Sequence, residues 1–204
     1  MMLMLILKPF KNARIITLIR VFLGLIFFTA GMSKLYFEHQ FPGIIGPVWL
    51  EERLAEHDLG LYARFIAGSQ IMAGLLLFTQ RFATLGALLT FPIILNIFVV
   101  TVSMGWQGTP YVNFFLLSLN AWLLAYDYHK FKFILTDKVE PLKPIKLERK
   151  KPKADGVWAL SVVLIILSVP LSYLNTPAAW AVCGAGVVAI FANQWMSQKK
   201  VKKF

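Results

Sequence analysis

Asn113, Asn120 and Asp127 are spaced seven residues apart inside an otherwise apolar stretch. Seven residues is close to two helical turns, so the three side chains fall on one stripe along a single helix face. Other polar groups sit in comparable surroundings. Gln70 shares a helix face with Ala63, Ala67 and Gly74, Asn96 lies one turn after Pro92, and Arg20 interrupts a long apolar run. Amide and ionisable side chains in such stretches are expensive in lipid and turn toward a helix-bundle interior or toward water. Two kinds of chemistry suit them. One is interhelical hydrogen bonding that fixes packing, at about 0.6 to 2 kcal/mol per contact. The other is a small site for a quinone headgroup or polar solute, with Arg20, Gln70, Asn96, Asn113 and Asn120 as its candidate residues. A separate charged cluster of Lys34, Glu38 and Arg64 is expected at the opposite end, where ion pairing and snorkelling are both open. Arg20, about five residues into its helix, is expected to snorkel to the nearer surface.

Much other chemistry has no residues to carry it. Cys183 is the single cysteine, so an internal disulfide, a CxxC redox pair and a structural zinc site are all excluded. His39, His57 and His129 are scattered, with no metal-ligand spacing, so no metal site is expected. No residue is assigned a catalytic role, and the chain reads as a non-catalytic membrane subunit rather than a complete enzyme.

The elements that must position these groups are apolar helices. The chain has 204 residues, 58% of them hydrophobic and 15% charged, with a mean hydropathy of +0.66. Six apolar stretches approach or reach the length that crosses a bilayer as a helix: Ile15–Tyr36, Leu61–Thr79, Phe82–Ser103, Tyr111–Tyr126, Val157–Leu174 and Ala178–Met196. Helices are required because lipid offers no partner to an open backbone amide or carbonyl. The first stretch is read as an uncleaved span, since Arg20 breaks the apolar region and no clear A-x-A site follows.

Positive charge sets the expected orientation. Lys8, Lys11, Arg14 and Arg81, nine basic residues from Lys130 to Lys153, and the four tail lysines all fall on one side, which is therefore cytoplasmic. Both termini lie on that side. Trp106 and Trp180 then fall near the outer surface, and Trp158 and Trp195 near the inner one, as interfacial tryptophans do. The net charge of +11 is thus assigned to the lipid surface, with no nucleic-acid partner.

The organisation expected is a four-span bundle over 1–126, a basic cytoplasmic linker over 127–156, a transmembrane hairpin over 157–196 and a basic tail over 197–204. The linker holds three prolines and is expected to lie irregularly on the anionic membrane surface. The first outer loop carries Pro47, Leu50, Leu54 and Gly60 among Glu51, Glu52, Arg53 and Glu56. That pattern predicts a short amphipathic helix at about 47–58 lying on the outer interface. On the sixth stretch Ala181, Ala185, Ala189 and Asn193 recur every four residues, which predicts a close helix approach.

The opening stretch RVFLGLIFFTAGMSKL resembles the first-helix motif of the DoxX family, through Arg20, Gly24, Phe28, Gly31 and Lys34. GLYARFIAGSQIMAGLLLFTQRFATLGALL is similar to that family's second helix, short basic turn and third helix, with Gly74–Leu77 at its centre. Asn113 opens the fourth helix where family members often carry an Asn. The likeness covers roughly residues 14–135. It implies an all-α, integral-membrane four-helix bundle, here followed by a further hairpin, in the cell inner membrane. It also implies a role as accessory subunit of a quinone-linked or oxidative-stress redox complex, with quinone as the possible cofactor and a membrane redox enzyme as partner. No haem, flavin or iron–sulfur motif is evident. Two departures stand out: Gln70 occupies a position where family members often carry Glu, and the last two spans lie outside the four-helix pattern. An assembly or structural factor without activity of its own, and a small-solute transporter, remain as alternatives.

Overall fold

The computed structural model describes residues 13–46, 50–131 and 152–201. Every regular element among them is helical. Helix α1 is Ala13–Leu35, α2 Leu50–Ala55, α3 Gly60–Phe78, α4 Ala83–Ser103, α5 Thr109–Phe131, α6 Pro152–Ser172 and α7 Thr176–Val201, with a single 3₁₀ turn at Phe37–His39. The chain divides into two units, Met1–Leu35 with Phe41–Asp137, and Tyr36–Gln40 with Lys138–Phe204.

In the first unit α1 lies against α3, α3 against α4 and α4 against α5, while α1 also touches α5. The α1–α3 seam is the tightest. A methyl group placed on Gly74 would sit 2.4 Å from the Phe28 backbone nitrogen and 2.8 Å from the Gly24 carbonyl oxygen. One on Gly31 would meet the Ala67 carbonyl oxygen at 2.5 Å. Bare glycines let the two backbones close up, and in lipid that close packing is the main source of helix association. Around the seam Leu23, Met32, Leu75, Leu77, Ile94 and Leu123 are fully buried.

The opposite faces are apolar and open. Leu18, Phe65, Val99, Val102, Phe114 and Phe115 are all exposed, on four different helices. Such a belt far exceeds the scattered apolar residues of a water-soluble surface. It fits a chain whose solvent is lipid. Among the described residues four helices are long and apolar enough to cross a membrane: α1, α3, α4 and residues Thr176–Met196 of α7. The apolar part of α6, Gly156–Ser172, is shorter. Helix α5 has the length, at 23 residues, but its polar stripe and the Asp127–Lys130 end dilute its hydropathy.

Helix α2 is shorter than the 47–58 expected. Residues 47–49 lie outside the described residues, and Glu56–Asp58 form a turn after the helix. Leu54 is buried against Ala63, Tyr62, Val100, Met104 and Trp106, so the helix caps protein rather than lying on lipid alone.

In the second unit α6 and α7 form a hairpin. Asn175 caps α7, its side-chain oxygen accepting a hydrogen bond from the Ala178 amide at 3.0 Å. Ser161, Ile165, Ser168 and Ser172 are buried on α6, and Ala179, Cys183 and Ile190 on α7. The predicted small stripe is not this buried face. Ala181 and Ala185 are exposed, and Gly186 makes the close approach instead, against Ser161 and Ile165. Tyr36 belongs to this unit; it is buried and donates its hydroxyl to Ser168 Oγ at 2.7 Å. The Phe37 amide donates to Ser172 Oγ at 3.1 Å. Most of the expected linker, residues 132–151, lies outside the described residues; its first residues instead continue α5 to Phe131 and its last begin α6 at Pro152.

Candidate functional site

The buried face of α5 reads Asn113, Leu116, Asn120, Leu123 and Asp127. The three-then-four spacing keeps these residues on one seam, so the polar stripe of the sequence is an interior stripe. Its three polar members meet different fates.

Asp127 is a hub. Its carboxylate accepts from Arg20 Nη2 at 2.5 Å, from Lys130 Nζ at 2.6 Å and from Thr84 Oγ1 at 2.9 Å. Its side chain is 0% exposed, against 14% for Arg20 and 46% for Lys130. Three donors on one buried carboxylate make charge-assisted bonds of the stronger kind. Arg20 therefore does not snorkel as expected. It is held inward by Asp127, with its guanidinium 6.0 Å from the centre of the Tyr126 ring.

Asn120 is also 0% exposed, and neither its side-chain oxygen nor its nitrogen has a hydrogen-bond partner among the described residues. An unmade hydrogen bond of this kind costs about 1 to 3 kcal/mol.

Asn113 lies at the other end, its Nδ2 3.4 Å from Thr101 Oγ1. Here Lys34 enters the seam. It sits in the last turn of α1, where the helix dipole favours a cation. Its ammonium turns inward and donates to Gln70 Oε1 at 3.0 Å, with Lys34 6% and Gln70 3% exposed. The α3 stripe of Ala63, Ala67, Gln70 and Gly74 is buried as a whole, which places Gln70 within reach. No carboxylate pairs with Lys34 among the described residues.

Lys34 borders two spaces. The larger is a cavity of about 160 Å³, whose polar lining is Lys34, Gln70, Thr101, Thr109 and Asn113. Its apolar walls include Ile26, Phe27, Ile97, Trp106 and Leu116. A second void of about 20 Å³ lies between Lys34, Tyr62 and Asn96, which is room for one water. Asn96 is itself exposed at the rim and accepts a hydrogen bond from the Tyr62 hydroxyl.

The sequence-predicted residues thus separate. Gln70 and Asn113 line one cavity, Asn96 borders the smaller void beside it, Asn120 stands alone in the packed middle, and Arg20 belongs to the Asp127 hub. Lys34, expected in a surface cluster with Glu38 and Arg64, is interior. Glu38 accepts from Gln40 Nε2 at 3.3 Å, and Arg64 is exposed on α3. Sequence reasoning missed Thr84, Thr101, Tyr62 and Trp106. Their types are common in membrane helices, and only the packing reveals them. The Arg20–Asp127 pair carried a usable signal, since both fall toward the same predicted surface.

Among the described residues no group of three or more His, Cys, Asp or Glu gathers to hold a metal. No family model matches the chain, and comparisons with curated proteins and with solved structures find no match.

Proposed function

We propose that this chain is a DoxX-like protein of the cell inner membrane that serves as an accessory subunit of a quinone-linked or oxidative-stress redox complex. In this reading it crosses the bilayer six times, with both termini cytoplasmic. Helices α5 and α6 complete the set, since α5 is long enough and its polar residues face inward rather than to lipid. The distribution of basic residues supports a cytoplasmic side for the Asp127 hub and an outer side for Lys34.

The observation that carries the proposal is Lys34. A lysine one residue from a helix end could reach water by snorkelling. It instead points into a partly open cavity of about 160 Å³, beside two amides and two threonines. A cavity of about 150 Å³ accepts a benzene ring, and a quinone is such a ring with hydrogen-bond-accepting carbonyls. Lys34 and Asn113 are placed to donate to them. The redox chemistry would belong to the quinone and to the partner enzyme, while this chain supplies binding and orientation.

Affinity purification of the whole chain in mild detergent, with mass spectrometry and quinone extraction of the eluate, tests the proposal. Recovery of quinone together with a membrane redox enzyme is expected. An eluate with neither contradicts it. A partner without quinone would favour the assembly-factor reading, to which the Asp127 hub lends support as a purely packing device.

A further inference from the structure

Lys34 is a cation with no counter-charge beside it among the described residues. Among the described residues its hydrogen-bond partner is the neutral amide oxygen of Gln70, and no acidic one lines either space it borders. An ammonium carries three donors, so two remain for whatever enters those spaces. Burying a charge without a counter-charge costs several kcal/mol, and a chain that removes this cost by snorkelling gains it back at once. Lys34 is 6% exposed and does not take that route. One turn before it, Gly31 seats α1 closely on Ala67 and Ile71 of the helix that carries Gln70.

We infer that the Lys34 cavity binds a small organic anion, a ring-sized body bearing one negative charge, in preference to a neutral molecule of the same shape. The anion lies against Lys34 Nζ, and the Gln70 amide nitrogen is free to donate to it as well, since the Gln70 oxygen already accepts from Lys34. The apolar walls of Ile26, Phe27, Ile97, Trp106 and Leu116 hold the ring on one side of a partly open pocket, so the ion pair forms where water screens it less than at a surface. Asn113, across the same cavity, offers a donor and an acceptor to a second polar substituent on the ring. An inorganic anion would leave those apolar walls unused. This inference rests on the cavity being a ligand site, as proposed above. For a quinone-class ring it selects the deprotonated quinol over the neutral quinone.

The experiment is calorimetric titration of the purified full-length protein in a neutral detergent with three probes: benzoate, benzyl alcohol and a short-chain benzoquinone. Benzoate should bind at least tenfold more tightly than benzyl alcohol to the unaltered protein, a comparison that needs no variant to fold. In Lys34→Met the preference should vanish, while Gly68→Ala, at an open position of α3, should retain it. Equal binding of benzoate and benzyl alcohol, or no binding of either, overturns the inference. Benzoquinone binding without benzoate binding would also overturn it and leave the quinone proposal standing. Benzoate binding without any benzoquinone binding would uphold the inference and remove the quinone proposal.

Discussion

Replacing Asp127 with leucine should be among the most damaging single changes in the first unit, although Asp127 lines neither space beside Lys34. The carboxylate is fully buried and accepts from Arg20, Lys130 and Thr84. Its loss leaves the Arg20 guanidinium, 14% exposed, without its counter-charge. Removing one member of a buried ion pair costs about 3 to 5 kcal/mol. The bond to Lys130 adds little, because that side chain is 46% exposed and exposed pairs contribute about 0 to 1 kcal/mol. The Thr84 hydroxyl loses a charged acceptor, at about 1.5 to 3 kcal/mol gross, part of which it regains elsewhere. A net loss of about 3 to 5 kcal/mol is therefore expected, read from reversible unfolding in mixed micelles as denaturing detergent is titrated in. Arg20→Leu alone should cost a similar amount, since it strands the carboxylate. The double substitution should cost much less than the two together, because an apolar pair of similar shape needs no counter-charge. A coupling of at least about 1.5 kcal/mol in the double-mutant cycle is expected. Additive costs, or a loss under about 1 kcal/mol for Asp127→Leu, would refute the view that this hub is a buried, mutually dependent pair.

Gly74→Ala should destabilise by about 1 to 3 kcal/mol, since its methyl meets backbone atoms of α1 that cannot swing aside. Gly68→Ala, on the same helix with nothing within 4 Å, should stabilise by about 0.5 to 1 kcal/mol; the same unfolding assay reads both, and equal effects would contradict the seam. Asn120→Leu should leave stability unchanged or raised, because it removes two unmade hydrogen bonds; a clear loss in thermal unfolding would show that the amide has a partner the packing does not reveal. Tyr36→Phe should cost about 0.5 to 1.5 kcal/mol through the lost bond to Ser168, measured as faster proteolysis of the second unit.

The helices were largely legible because lipid enforces long apolar runs with little ambiguity. The predicted bounds of the third span, Phe82–Ser103, differ from α4 by one residue. The fourth was legible in position but not in extent, because Asp127 and Lys130 look like the start of a polar linker. Their charges are instead neutralised on the helix, which carries α5 on to Phe131. The stripe of Asn113, Asn120 and Asp127 was visible from periodicity alone. What periodicity could not supply was direction along a long side chain. Arg20 and Lys34 each have enough reach to go outward to water or inward to a partner, and the choice depends on residues distant in sequence. Asp127 decides it for Arg20, and Gln70 with the tight glycine seam decides it for Lys34. That the stripe on α7 does not face α6 has a related reason. Small residues recur on two faces of that helix, and spacing does not say which face meets α6.

The central claim is that Lys34 makes the cavity it borders a ligand site of the quinone class. It is tested most directly by titrating a short-chain quinone into the purified protein while following tryptophan fluorescence, since Trp106 lines that cavity. The account predicts saturable quenching that weakens at least tenfold in Lys34→Met and disappears in Trp106→Phe. Quenching that does not saturate, or that is the same in Lys34→Met as in the unaltered protein, would contradict it.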